Sequence, residues 1–473
     1  MKNVTVKDIL TAADGSLLSG DPEAKILHLT TDSRVIPEEA VFVPIVGENI
    51  NGHDYIEKAL LGGAKATLTA ETEAFEHWSD NHPEDERTFI LVKDTTDAIQ
   101  KIGRMARTHL SIPAIGVTGS VGKTTTREMI ACALSAGKKV YKTDKNFNNW
   151  LGVPITLSEM TDEDDIAVLE LGLNVRGELG LISSLANIET AVITNIGVSH
   201  IEFYGTQDEI AKEKFTITKG FWPENPAPKR LFLNGNDPFL NKYKDSCGYA
   251  YTTYGTTPDS EYYAAEIRIE DGRYAFDLVR RGEKLFRMSL SVLGEHNVLN
   301  AVGALAIADY YGVELAAAAE KLSQFTGFKN RLQRIEHDGY LIIDDSYNAS
   351  PASMKAGLDV LESISYGNGS GKRIAVLGDM FELGEFAPQY HYEVGTHAAV
   401  KKIDELFLIG ENAMEIKRAV EEAGSGIRVF ACTERADIVK ALKKELRPDD
   451  IVYIKASHGM KLQEVTEGLT HEQ

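Results

Sequence analysis

The sequence predicts an α/β protein of three domains. The first is a smaller N-terminal α/β domain. The second is a central domain built on a parallel sheet around a phosphate-binding loop, in the manner of P-loop ATPases. The third is a C-terminal Rossmann-like domain. Three observations support this reading. The chain has 473 residues, too many for one hydrophobic core at roughly 150 residues per domain. Two separate series of apolar runs alternate with helical stretches, the pattern of strand–helix–strand units. A glycine-rich turn stands between one such strand and the helix after it.

The N-terminal domain is expected over residues 1–110. Val41–Phe42–Val43–Pro44–Ile45–Val46–Gly47 reads as a strand and a turn. Ile99, Ile102 and Met105 recur at helical spacing between Thr95 and Leu110. Ser111–Ile112–Pro113 then forms a junction. The central domain is expected over residues 111–328. Its strands are Ala114–Val117, Asp165–Glu170, Thr190–Asn195 and Arg230–Asn234, with helices over Lys123–Ala136 and Glu295–Tyr311. These strands imply a mostly parallel sheet with helices on both faces and ligand chemistry at the carboxyl ends of the strands. The C-terminal domain is expected over residues 329–473. Its strands are Tyr340–Asp344, Arg373–Leu377, Glu405–Ile409, Arg428–Ala431 and Ile451–Lys455, and Gly367–Gly371 is a surface loop.

Composition narrows the class. Hydrophobic residues make up 43% and charged residues 26%, as in an ordinary globular chain. The net charge of −21 disfavours nucleic acid and anionic lipid as partners. The three cysteines, Cys132, Cys247 and Cys432, lie too far apart for a disulfide framework or a metal motif. No apolar stretch has the length of a signal peptide or of a membrane span. A cytoplasmic location is expected.

The sharpest motif is Thr118–Gly119–Ser120–Val121–Gly122–Lys123–Thr124–Thr125. Gly119, Ser120, Val121 and Gly122 are small enough to let backbone N–H groups close around phosphate oxygens. The helix that begins at Lys123 adds partial positive charge. Lys123 is expected to reach the β- and γ-phosphates, Thr124 to offer its hydroxyl to Mg²⁺, and Thr125 to complete the loop. Val117 stands where the strict pattern has glycine. The loop by itself indicates a nucleotide such as ATP and leaves the reaction open.

Further segments carry a resemblance over almost the whole length. They are Leu169–Glu170–Leu171–Gly172; Thr194–Asn195–Ile196–Gly197 with His200; Gly294–Glu295–His296–Asn297–Val298–Leu299–Asn300–Ala301; Arg331–Leu332–Gln333; Asp344–Asp345–Ser346–Tyr347–Asn348–Ala349–Ser350–Pro351; and Gly378–Asp379–Met380–Phe381–Glu382–Leu383–Gly384. In order and spacing the chain resembles the Mur ligase family, which also tolerates valine at the position of Val117. The last two segments resemble the branch that adds D-alanyl-D-alanine to a UDP-muramyl-tripeptide in peptidoglycan precursor synthesis.

The resemblance implies an ATP-dependent ligase. ATP would phosphorylate a carboxylate, and an amine would displace the phosphate to give a peptide bond. It implies Mg²⁺ held by Thr124, Glu170, His200 and Lys214, the last carbamylated by CO₂ into an anion. Lys212 is the alternative to Lys214, because Phe215–Thr216 replaces the family's Gly–Glu. Asn297 and Asn300 would face the nucleotide, though a helix-capping role is equally open to them. Arg331 would lie at the phosphates and Asp345 near the ribose and phosphates. Tyr347 and Asn348 would lie near the dipeptide or the nucleotide. Ser33 and Arg34 in Thr31–Asp32–Ser33–Arg34 would meet the UDP-sugar end, with Gly47–Asp54 in the same domain; Asn51 replaces a common aspartate. Small-molecule substrates and a monomer are implied.

Near the C-terminus Lys455–Ala456–Ser457–His458–Gly459–Met460, with Leu462–Gln463, replaces a family glycine, arginine and glutamate. An arginine grips an anion bidentately and a histidine does not. Two alternatives therefore stay open: a paralogue that joins another acid and amine, and a non-catalytic nucleotide-binding protein.

Overall fold

The computed structural model describes residue 1 and residues 4–85, 87–144 and 146–471. The described residues are mixed α/β with four sheets. The chain folds as two compact units. One comprises residues 1–118, 138–192 and 213–231; the other comprises residues 119–137, 193–212 and 232–473.

The first unit contains the N-terminal sheet, in the order Ser16–Ser19, Thr88–Leu91, Ala66–Thr69, Ala40–Phe42, His28–Thr30. Its first pairing is antiparallel and the rest are parallel. The strand expected from Val41 is present at Ala40–Phe42. The expected helix is present at Thr95–Thr108, capped by the Asp94 carboxylate on the Asp97 N–H at 2.9 Å. Its Ala98, Ile99, Ile102 and Ala106 join Ile9, Leu68 and Ile90 in one core. Gly103 permits a close crossing, since a Cβ there would lie 2.6 Å from the Cα of Pro154. Arg107, 1% exposed, ends this helix by donating to the carbonyls of Leu110, Ile112, Ala186 and Asn187. Four acceptors compensate the burial of one guanidinium without a paired acid.

The largest sheet has nine strands, in the order Glu283–Leu290, Arg273–Arg280, Tyr262–Glu270, Ala250–Gly255, Arg230–Asn234, Thr190–Ile193, Ala114–Thr118, Ile166–Glu170, Val140–Lys142. The four strands expected here are all present. The mostly parallel sheet has an antiparallel edge, where residues 262–290 form a meander. Two tight turns make it. Asp271 and Gly272 have φ of 49° and 74°, and Arg281 and Gly282 have 50° and 83°. Paired positive φ values match the right-handed twist of a hairpin.

The C-terminal sheet lies in the second unit, in the order Gln333–His337, Tyr340–Asp344, Ile451–Lys455, Arg373–Gly378, Glu405–Ile409, Arg428–Cys432. Only the first pair is antiparallel. Its central strands are buried throughout, as continuous apolar runs require. Among the described residues no helix is long and apolar enough to cross a membrane.

Candidate active site

In the second unit the phosphate loop is held from below by the segment after the strand Thr190–Ile193. Asn195 accepts the Ser120 N–H on its carbonyl at 3.1 Å and the Val121 N–H on Oδ1 at 3.0 Å. Its Nδ2 and the Thr194 hydroxyl both donate to the Val121 carbonyl, at 2.9 and 2.6 Å. Gly197 N–H donates to Ser120 Oγ at 2.8 Å. The approach is close enough to require glycine at 119, where a Cβ would stand 1.8 Å from Thr194 Oγ1. Gly122, at φ 81°, turns the chain into the helix Lys123–Leu134. The Lys123 ammonium donates to the Gly119 carbonyl at 2.8 Å, folding across its own loop.

Asn297 and Asn300 are buried near the start of the helix His296–Tyr310. Asn300 Nδ2 donates to Asn297 Oδ1 at 3.0 Å, and Asn300 Oδ1 accepts from the Thr126 hydroxyl at 3.2 Å. Asn297 Nδ2 donates to the Leu293 carbonyl at 2.7 Å. The pair braces the phosphate-loop helix, and Thr126 joins the set of residues that shape the loop.

Arg331 reaches the same loop from the start of the C-terminal sheet. Its Nη2 donates to Thr124 Oγ1 at 3.0 Å. The guanidinium lies 4.0 Å from the centre of the Tyr347 ring and 5.6 Å from that of Phe328. Asp345 begins the turn that carries Tyr347. One of its oxygens accepts the Leu332 N–H at 3.2 Å; the other accepts Lys455 Nζ at 2.6 Å and the Tyr453 hydroxyl at 3.1 Å. Burial first, and Asp345 second, push the Tyr453 phenol well above its ordinary value. Lys455 also donates to the Asn348 carbonyl at 2.9 Å. Asp344, at the strand end, accepts from Asn330 and Ser346. Asn348 is exposed, its Oδ1 accepting the Ala349 N–H at 2.8 Å.

His200 Nδ1 stands 2.7 Å from Glu382 Oε2. The His200 ring beside it holds the Glu382 carboxyl below the usual range. Both residues have left-handed backbones, φ 65° and 62°, a conformation that costs energy outside glycine. The turn that presents Glu382 is fixed by buried His391, whose Nε2 accepts the Met380 N–H at 2.9 Å, and by Ser457 Oγ, which accepts the Phe381 N–H at 2.8 Å.

In the first unit, Glu170 ends its strand beside Val117, the register partner just ahead of the phosphate loop. It is 3% exposed, and Asn148 Nδ2 donates to its Oε1 at 2.7 Å. Lys214 is 1% exposed, whereas the Lys212 side chain is 58% exposed and paired with Glu209. At the N-terminal sheet Arg34 forks onto Asp32 with two bonds of 2.8 Å and draws that carboxyl down to about 2. Ser33 is half-buried beside it. Asn51 caps the turn at Gly52–Tyr55 and accepts from His53, whose Nε2 accepts the Ala70 N–H at 3.0 Å.

Comparison with known proteins decides among the readings. Models of the Mur ligase family, catalytic domain, of the Mur ligase middle domain, and of the Mur ligase glutamate ligase domain match residues 25–107, 117–308 and 330–458. The chain belongs to the Mur ligase family. It is 36% identical to the UDP-N-acetylmuramoyl-tripeptide–D-alanyl-D-alanine ligase of Bacillus subtilis, over 98% of each chain. It is 32% identical to the enzyme of that name from Synechocystis, over 98% of this chain and 97% of the other. Among solved structures, MurF from Acinetobacter baumannii superposes with a TM-score of 0.84 at 27% identity, over 98% of both chains. MurF ligase from Thermotoga maritima in complex with ADP superposes at 0.77 and 26% identity, over 93% and 96%. As a Mur ligase the protein is an ATP-dependent, peptide-forming enzyme that works on small molecules.

Several groups in this Mur ligase had no role assigned from the sequence: Thr194 and Asn195 under the loop, Asn148 at Glu170, Glu382 at His200, and Lys455 at Asp345. All but Asn148 lie inside a quoted motif, so for them the signal was present without a partner to give it meaning. Among the described residues no group of three or more His, Cys, Asp or Glu forms a protein-only metal cage. Thr124 and Glu170 each carry oxygen, the donor type that Mg²⁺ takes beside water and phosphate oxygens.

Proposed function

We propose that this Mur ligase joins D-alanyl-D-alanine to UDP-N-acetylmuramoyl-tripeptide at the expense of ATP. The tripeptide carboxylate takes the terminal phosphoryl group and ADP leaves. The dipeptide amine then attacks the acyl carbon, and phosphate departs as the amide forms. The observation that carries the ATP-dependent step is the arm from Arg331 to Thr124, which places a cation of the C-terminal sheet on the phosphate loop, and the likeness to the two relatives supports the substrate pair. Charge building on a transferring phosphoryl group needs cations fixed in advance, and Lys123 and Arg331 supply two.

Mg²⁺ would be held by Thr124, Glu170, His200 and a carbamylated Lys214, and would neutralise phosphate charge as the two anions approach. Lys214 is buried, and as a neutral amine it would add CO₂ and release a proton to become the carbamate. The same burial favours Lys214 over solvent-exposed Lys212. Gly119, Ser120, Val121, Gly122 and Thr125 would enclose the phosphates. Asp345 would orient the ribose side of ATP, with Asn297 and Asn300 behind the loop. Tyr347 and Asn348 would lie near the dipeptide or nucleotide, and Ser33 and Arg34 would meet the UDP-sugar. The protein would act as a cytoplasmic monomer.

The test is phosphate release from Mg-ATP with both substrates present and with each omitted in turn, together with the product mass. Release that needs both, with a product heavier by one dipeptide less water, is expected. Failure with this pair while ATP still binds would move the assignment to a paralogue with another acid or amine.

A further inference from the structure

Arg331 has a long side chain, yet it must hold one direction to serve the phosphate loop. A flexible guanidinium loses much of its electrostatic effect, because it spends its time elsewhere and must be reordered when charge develops. Its neighbours answer that need. The guanidinium carbon lies 4.0 Å from the centre of the Tyr347 ring, close contact for a cation on an aromatic face, and 5.6 Å from the Phe328 ring. Its Nη2 points onto Thr124 Oγ1. The Tyr347 ring is itself placed from two sides. The Asp345–Asn348 turn is fixed by Lys455, and the His458 ring lies 5.6 Å from Tyr347 at an interplanar angle of 44°.

We propose that Tyr347 is a positioning residue that acts through Arg331. Its ring face aims the guanidinium at the phosphate loop, and Phe328 supports the same cation. The inference rests on the ATP-dependent reading of the site, and it is independent of which acid and amine are joined. It differs from direct contact between Tyr347 and a substrate, because it requires Arg331 for any effect.

The experiment is a double-mutant cycle read by equilibrium binding of a non-hydrolysable ATP analogue, with ligase kcat measured in parallel. Tyr347→Leu is expected to weaken binding about 3- to 30-fold, the range of a partly desolvated cation–π contact. Tyr347→Phe, which keeps the face and loses only the hydroxyl, regains most of that loss. In the Arg331→Ala background Tyr347→Leu adds less than about twofold. Phe328→Leu serves as a second variant, with a smaller loss that also vanishes without Arg331. Three results would overturn the proposal: Tyr347→Leu and Phe328→Leu binding like wild type, a loss of equal size in the Arg331→Ala background, or no recovery with Tyr347→Phe. Wild type that binds the analogue but does not ligate the named pair would refute the substrate assignment alone.

Discussion

The Lys455→Met variant probes the pair that fixes the Asp345–Asn348 turn. Lys455 Nζ lies 2.6 Å from Asp345 Oδ2 and 2.9 Å from the Asn348 carbonyl, with side chains 3% and 14% exposed at Lys455 and Asp345. Methionine keeps most of the volume and removes the charge. Breaking a buried pair from one side costs about 3–5 kcal/mol, because the remaining ion stays desolvated. Asp345 retains the Tyr453 hydroxyl and the Leu332 N–H, which places the expected loss near the lower end, about 3 kcal/mol. At roughly 2–4 °C per kcal/mol for a domain of this size, the transition should fall by about 6–12 °C. Calorimetry measures the shift, and hydrogen exchange over Tyr340–Asp344 locates it. The charge argument makes a second demand: Lys455→Met with Asp345→Asn should be more stable than Lys455→Met alone, since no uncompensated carboxylate remains. A fall below about 2 °C, or a double variant no more stable than the single, would refute the reasoning.

Three further outcomes are expected. Gly119→Ala forces a Cβ to within 1.8 Å of Thr194 Oγ1, so the loop must shift; ATP affinity should drop at least about tenfold, with a stability loss of about 1–3 kcal/mol, measured by calorimetric titration and thermal unfolding. Lys214→Ala should abolish ligation while the variant stays folded, and wild-type rates should fall reversibly on depletion of CO₂ and bicarbonate; full activity in CO₂-free buffer would exclude the carbamate. His391 is buried and accepts the Met380 N–H, and burial lowers its pKa from the ordinary 6.5. A depressed folded value means that its contribution is complete above the unfolded pKa of about 6.5 and is lost as pH falls through the folded value. Wild-type unfolding temperature should therefore decline over that acid window, and the decline should be smaller in His391→Gln.

Much of the fold was legible because its signals are local. Buried parallel strands read as near-continuous apolar runs, so Tyr340–Asp344 and Ile451–Lys455, polar only at their last residue, stand out without partners. The strand–loop–helix context announces the phosphate loop for the same reason. The antiparallel meander was equally present in Asp271–Gly272 and Arg281–Gly282, but its polar, solvent-facing alternation carries a weaker pattern. The residues read for the site came from motifs, and motifs name side chains without their partners.

The sequence by itself determined the α/β class, the order of strands and helices, the nucleotide loop and the family's chemistry, since periodicity, turn residues and contiguous motifs need only near neighbours along the chain. Tertiary structure alone decided that Asn195 clamps the loop, that Glu382 meets His200, that Lys455 neutralises Asp345, and that Tyr347 lies against Arg331. These pairs lie 16 to 182 residues apart. Their energies depend on distance, direction and desolvation, which exist only once the chain has folded.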